Sequence, residues 1–163
     1  RDLLRSYWQK QDKQADNQKI DMFPENLTPA HLNIISQGTL LTHLGIEFTE
    51  IGENYIIAKM PVKDETSQPM GILHGGASVS LAESIGSTGS YIIIDKKKDS
   101  AVGLEINANH VGSAHEGYVT GKGTLMHKGK TTHIWNIEIR NEQDKLVSLC
   151  RLTVMILKRP SQQ

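Results

Sequence analysis

The residues of this chain best suited to chemistry lie in one stretch, Gln68-Pro69-Met70-Gly71-Ile72-Leu73-His74-Gly75-Gly76-Ala77-Ser78, followed by Leu81-Ala82-Glu83-Ser84-Ile85-Gly86-Ser87. A loop ends in paired glycines, and small and apolar residues then continue at helical spacing. The first N–H groups of a helix have no partner within it, and glycine lets a ligand approach bare backbone. Such a junction can hold developing negative charge in the manner of an oxyanion hole. Two turns further in, Glu83 is the only acid between Gly75 and Ile93. A carboxylate among small apolar residues, answered by few polar groups, is a natural general base or nucleophile. Ser87, four residues on, shares its helix face and can hydrogen-bond the carboxylate or its water. The same pattern allows a plainer role, in which Glu83 pairs with a lysine or caps a neighbouring backbone group.

Gly75 and Glu83 are eight residues apart, which is roughly 12 Å along a helix. One carbonyl cannot touch both. If both act on one substrate, the N–H comes from one subunit and the carboxylate from another, with two such helices facing each other across a two-fold axis. The active site would then require a homo-oligomer, at least a dimer.

The elements that must position these groups follow from pattern. Thr28 reads as an N-cap with Pro29 at the first position of a helix running toward Gln37. Residues Gly45 to Glu50 and Tyr55 to Met60 read as strands joined by a turn at Gly52-Glu53-Asn54. Gly75 to about Ile93 reads as one long helix, and everything after it is strand. Val102, Leu104, Ile106 and Ala108 alternate with polar or small residues and are expected to pack on the helix. Trp135, Ile137 and Ile139, and then Cys150, Leu152, Val154 and Ile156, do likewise, with Asn141-Glu142-Gln143-Asp144 as the turn between them. With no β-α-β alternation, the class is α+β: a curved antiparallel sheet of about six strands around one long central helix. Residues 1–40 are expected to form an N-terminal helical extension, and 41–160 the main domain.

Composition narrows the function. Eighteen basic residues balance eighteen acidic ones, so no global field draws nucleic acid or an anionic membrane. Cys150 is the only cysteine, which rules out an internal disulfide and fits a reducing compartment. The opening Arg1-Asp2-Leu3-Leu4-Arg5 has no apolar core of a secretory signal, and the cytoplasm is the expected location. Met70 to Ile94 is apolar, but its Gly, Ser and Thr content and Glu83 argue for a buried helix rather than a membrane span. Gly123 to Thr131 imitates a P-loop, yet five residues separate its glycines where four are required and a strand follows. No Gly-x-Ser-x-Gly elbow is present, and neither His110 with His115 nor His127 with His133 completes a metal set.

The block from Gln68 to Ser87, together with Val102-Gly103-Leu104-Glu105-Ile106-Asn107-Ala108-Asn109-His110, resembles the hotdog-fold thioesterases of the phenylacetate-degradation type. The likeness spans about Leu41 to Leu157, and because such thioesterases are commonly dimers of dimers it implies a dimer or a dimer of dimers here. Within that group it is greatest to the thioesterases acting on 1,4-dihydroxy-2-naphthoyl-CoA in menaquinone biosynthesis and to the proofreading thioesterase of enterobactin synthesis. The resemblance implies hydrolysis of an acyl or aroyl thioester, carried by coenzyme A or a carrier protein, with Glu83 attacking the carbonyl or activating water. By the same resemblance, Gly75 N–H polarises the carbonyl, Gln68 and His74 orient it, Ser87 positions the water or the carboxylate, and His110 lines the substrate pocket. Lys128, Gly129, Lys130 and Thr131, with Lys158 and Arg159, are the candidates for the coenzyme's phosphates. Coenzyme A is part of the substrate, so no separate cofactor and no metal are expected. Plainer readings stand beside these: His74 bonded to its own loop, His110 as a core histidine, and the lysines as solvated charge. A dehydratase or hydratase of acyl thioesters, or a non-catalytic acyl-CoA binding module, would use the same fold.

Overall fold

A computed structural model of the chain describes residues 22–159; residues 1–21 of the expected N-terminal helical extension lie outside them. The described part opens with buried Phe23 and a short helix, α1 (Pro29–Ile35). Thr28 caps it and Pro29 occupies its first turn, as the sequence implies. His31 completes the cap from the other side: its Nδ1 accepts from Thr28 N–H at 3.2 Å while Thr28 Oγ1 accepts from His31 N–H at 3.4 Å. The helix stops at Ile35, short of Gln37. A second short helix follows, α2 (Leu40–Leu44), which the sequence reading missed; Thr39 caps it, and Gly45 ends it at φ 74°.

The main sheet has six strands: β1 (Glu47–Ile51), β2 (Tyr55–Pro61), β5 (Asp99–His110), β6 (Tyr118–Lys128), β7 (Thr132–Asn141) and β8 (Leu146–Lys158). They lie in the order β1-β2-β6-β7-β8-β5, and every pairing is antiparallel. Two-residue strands β3 (Ser67–Gln68) and β4 (Ile72–Leu73) form a separate small hairpin. The long helix α3 (Gly75–Ile93) lies across β2, β5, β6, β7 and β8. Its buried Leu81, Ala82 and Ile85 meet Ile56, Ala58, Met60, Ile137, Ile139, Leu152 and Val154 from the sheet. Small helix residues let one large group in. Trp135 lies so close under Gly89 that a Cβ there would come within 2.6 Å of Cζ2, and its Nε1 donates to the buried Ser90 hydroxyl at 2.9 Å. The opposite side of α3 is a half-exposed stripe of Ser80, Glu83, Ser84, Ser87 and Thr88 rather than an apolar face.

Register shifts interrupt the β1–β2, β5–β8, β6–β7 and β7–β8 pairings. Each such bulge bends its strand and adds twist, which is how a sheet of this width curves around one helix. The bulge in β5 corrects one expectation. Leu104 is the inserted residue between Gly103, opposite Val154, and Glu105, opposite Thr153. The alternation therefore slips: Gly103 faces α3, Ile106 and Ala108 pack against the core, and Val102 and Leu104 stand 45 % and 55 % exposed. The other inward sets, Trp135, Ile137 and Ile139 with Cys150, Leu152, Val154 and Ile156, are buried as the alternation requires.

The two sheet edges differ. On β1, the Asn33 carboxamide of α1 imitates a neighbouring strand, donating to Phe48 O at 2.9 Å and accepting from Phe48 N–H at 2.8 Å. On β5, no strand among the described residues pairs with the outer edge. Among the described residues, no helix is long and apolar enough to cross a membrane.

Candidate active site

The loop before α3 is pinned from below by Thr66, whose buried hydroxyl accepts from Lys63 N–H at 2.9 Å and lies 2.8 Å from the Pro61 carbonyl. From that anchor the β3–β4 hairpin turns through Pro69-Met70-Gly71, with Gly71 at φ 75°, a conformation glycine adopts without a Cβ clash. Gln68 stands at its base with Oε1 accepting from Met70 N–H at 2.7 Å. That bond leaves the Gln68 amide NH2 as the group able to meet a ligand.

His74 is the N-cap of α3. Its Nδ1 accepts from Gly76 N–H at 2.8 Å, and its carbonyl takes the N–H groups of Ala77 and Ser78. The loop-bonded reading of this histidine is thus the observed geometry, and it fixes the tautomer: Nδ1 accepts, so Nε2 carries the proton. Gly75 N–H has no acceptor among the described residues. The ring of His110, at the end of β5, lies against Gly75 so closely that a Cβ there would be 2.7 Å from Nε2. A side chain at position 75 would collide with that ring. His110 Nδ1 in turn lies 3.1 Å from the hydroxyl of buried Ser148 on β8.

Glu83 forms a second cluster. Ser87 Oγ donates to its Oε1 at 2.7 Å, the polar partner that helix spacing implied. The carboxylate rests on Gly103 of β5, where a Cβ would overlap Oε1 and approach Cδ to 3.0 Å. None of the ion pairs among the described residues involves Glu83, so the lysine-paired alternative is not the one adopted. Strand β5 runs alongside α3 with its His110 end over Gly75 and its Gly103 end over Glu83.

One chain therefore brings together Gln68, His74, Gly75 and His110 at the start of α3, and separately Glu83 with Ser87. Lys128, Gly129, Lys130 and Thr131 sit at the β6–β7 turn, where Gly129 N–H bonds Thr132 O and Thr131 O accepts from Ile156 N–H. Through the register Thr132–Met155–Val102 this turn lies two strands from the Gly103 end of β5, roughly 10 Å away. It is not gathered with Gly75. Lys158 bonds Asp99 at 2.7 Å, and Arg159 N–H bonds Lys98 O, at the same end of the sheet. The sequence reading missed Ser148 and the part of Gly103. A glycine inside an otherwise bulky strand marks a close approach, and that signal was available; nothing in the sequence distinguishes the Ser148 hydroxyl from other strand serines.

On this curved sheet, an unpaired backbone N–H at a glycine-led helix start can polarise a carbonyl, and a hydroxyl-held carboxylate on the same helix can act as base or nucleophile. The Thioesterase superfamily profile matches residues 70–148. The chain is 45 % identical over 136 residues to the 1,4-dihydroxy-2-naphthoyl-CoA hydrolase of Escherichia coli, covering 83 % of this chain and 99 % of that one. The crystal structure of a mutant thioesterase from Pseudomonas aeruginosa superposes with a TM-score of 0.82 at 37 % identity, over 85 % of this chain and 99 % of that one. A thioesterase from Haemophilus influenzae does so with a TM-score of 0.80 at 39 % identity, over 84 % and 95 %. The chain belongs to the thioesterase superfamily: it has the hotdog fold and is a thioester hydrolase. Of the activities the fold leaves open, hydrolysis is the one these relatives carry in their names.

Proposed function

We propose that the chain hydrolyses acyl-CoA thioesters, aroyl esters among them, with Glu83 as its catalytic carboxylate in a site completed between two copies of the chain. The observation that carries this is Glu83 itself, held by Ser87 and seated on Gly103 at the open edge of β5. A two-fold axis near the middle of β5 would join the two free edges antiparallel and cover exposed Val102 and Leu104. The same operation sets the Gly103 end of one strand beside the His110 end of the other. Glu83 of one copy then meets Gly75, His74 and Gln68 of the second, which removes the separation of roughly 12 Å within a chain.

In that arrangement Gly75 N–H donates to the thioester oxygen as it gains charge. Gln68, through its amide NH2, and His74, through Nε2–H, fix the carbonyl. Glu83 either takes a proton from water as the water attacks, or attacks the carbonyl itself to give an anhydride that water then opens. In both cases the C–S bond breaks and the thiol of coenzyme A leaves with a proton. Lys128 and Lys130, with Gly129 and Thr131, are the candidates to hold the coenzyme's phosphates, supported by their turn lying roughly 10 Å from the Gly103 end of β5. Resemblance to the naphthoyl-CoA hydrolase supports an aromatic acyl group.

A panel of acyl- and aroyl-CoA esters assayed with a thiol-reactive dye tests this. Wild type should release thiol, while Glu83→Ala should lose turnover by several powers of ten and keep its fold and assembly. Full activity of Glu83→Ala on every hydrolysed ester would end the proposal.

A further inference from the structure

On β8, Ser148 is fully buried. Its hydroxyl oxygen lies 3.1 Å from His110 Nδ1, 3.4 Å from Cys150 Sγ and 3.4 Å from the Asn109 carbonyl oxygen. A hydroxyl has one proton to give and two lone pairs to offer. Cys150 can fill one of those lone pairs, because burial pushes its thiol up and keeps an S–H available to donate. Of the two acceptors left for the hydroxyl proton, Nδ1 at 3.1 Å is nearer than the Asn109 carbonyl at 3.4 Å, and the longer contact is beyond the usual range for O–H donation. The shorter contact favours donation to Nδ1 over the Asn109 carbonyl, to which the hydroxyl can also donate. A neutral imidazole that accepts at Nδ1 carries its hydrogen on Nε2, and Nε2 is the atom that lies against Gly75.

We infer that Ser148 is a positioning residue of the hydrolytic site, holding His110 as the Nε2–H tautomer so that this N–H stands beside Gly75 N–H as a further donor to the thioester oxygen. The inference deepens the reading above and rests on it. The tautomer decides the sign of the effect. With hydrogen on Nδ1 instead, a lone pair would face an oxygen that is gaining charge. Buried Ser148 thus acts on the reaction through His110, without touching substrate.

The test uses the full chain labelled with nitrogen-15 in its imidazoles. Long-range proton–nitrogen spectra are taken well above the ordinary histidine pKa of about 6.5, and the His110 signals are assigned by their loss in His110→Ala. Wild type should give a single Nε2–H pattern at His110, Ser148→Ala a mixture of tautomers, and Ser148→Thr, which keeps a hydroxyl, the wild-type pattern. On a CoA ester, kcat should fall about tenfold in Ser148→Ala, as losses of an orienting partner do. KM should stay within about twofold, Ser148→Thr should restore the rate, and adding Ser148→Ala to His110→Ala should cost nothing more. An Nδ1–H pattern in wild type, a tautomer indifferent to Ser148→Ala, or losses that add in the double variant would overturn the inference. A wild type that hydrolyses no thioester, yet keeps a Ser148-dependent Nε2–H tautomer, would overturn the hydrolytic reading and leave the His110 placement standing.

Discussion

Replacing Gly103 with alanine separates the chemistry of this site from its stability. The added methyl would overlap Glu83 Oε1 and sit 3.0 Å from Cδ. Carbon atoms rest at about 3.5–4.0 Å, so the carboxyl group must retreat by roughly 0.5–1 Å, and Oε1 by more. The Ser87 bond starts at 2.7 Å and does not survive that retreat within hydrogen-bonding range. A reacting group displaced by about 1 Å loses on the order of 100-fold in rate, and the lost hydrogen bond to a charged oxygen alone accounts for roughly tenfold. We expect kcat for the best CoA ester to drop by about 10- to 100-fold. The fold should tolerate the change. The clashing atoms are the far end of a half-exposed side chain that can swing away, and Gly103 lies outside the left-handed backbone region where alanine is strained. Alanine also narrows the unfolded ensemble, an effect of about 0.4–1 kcal/mol in favour of the native state. Thermal unfolding and stopped-time thiol release on the same preparation provide the two readouts. A Gly103→Ala enzyme with wild-type kcat would refute the placement of Glu83 as the reacting group.

Gly89→Ala should behave in the opposite way: its methyl meets the fully buried Trp135 ring, which cannot swing out, so stability should fall by about 1–3 kcal/mol in a denaturant titration while kcat per folded molecule is retained. His133 gives a pH dependence. Burial first, then Lys128 and His127, hold its pKa below the usual value, so the unfolded chain binds the proton more readily than the native one. Its contribution to stability is complete above about pH 6.5, falls as pH is lowered toward the depressed native value, and levels off below it. Denaturant midpoints measured down that range should fall more steeply for wild type than for His133→Asn, and parallel curves would show that His133 is not responsible.

The sequence exposed most of this fold because its signals were local. Thr28-Pro29, the glycine-led run from Gly75 to Ile93 and the alternating strands each state a backbone preference within a few residues. The Glu83–Ser87 contact was legible for the same reason, since four residues along a helix is a fixed offset. What escaped depended on partners far away in the chain. The slip at Leu104 is settled by pairing with β8, about fifty residues later, and no property of Val102 to Ala108 alone announces it. The Ser148–His110 contact spans 38 residues between neighbouring strands. The short helix α2 was missed for another reason: five residues between Thr39 and Gly45 are too few to show a period.

The β5 bulge links these observations. Without the inserted residue, strict alternation would turn Val102 and Leu104 toward α3 and send Gly103 outward, and branched side chains would fill the space the Glu83 carboxylate now occupies. With it, the same strand offers a bare backbone to Glu83 at one end and the His110 ring to Gly75 at the other. It also turns Val102 and Leu104 out at an edge with no partner strand among the described residues. An unpaired strand edge of twelve residues that carries exposed Val102 and Leu104 is an aggregation liability in a solitary chain. In our proposal the strand that covers it is the one that completes the site.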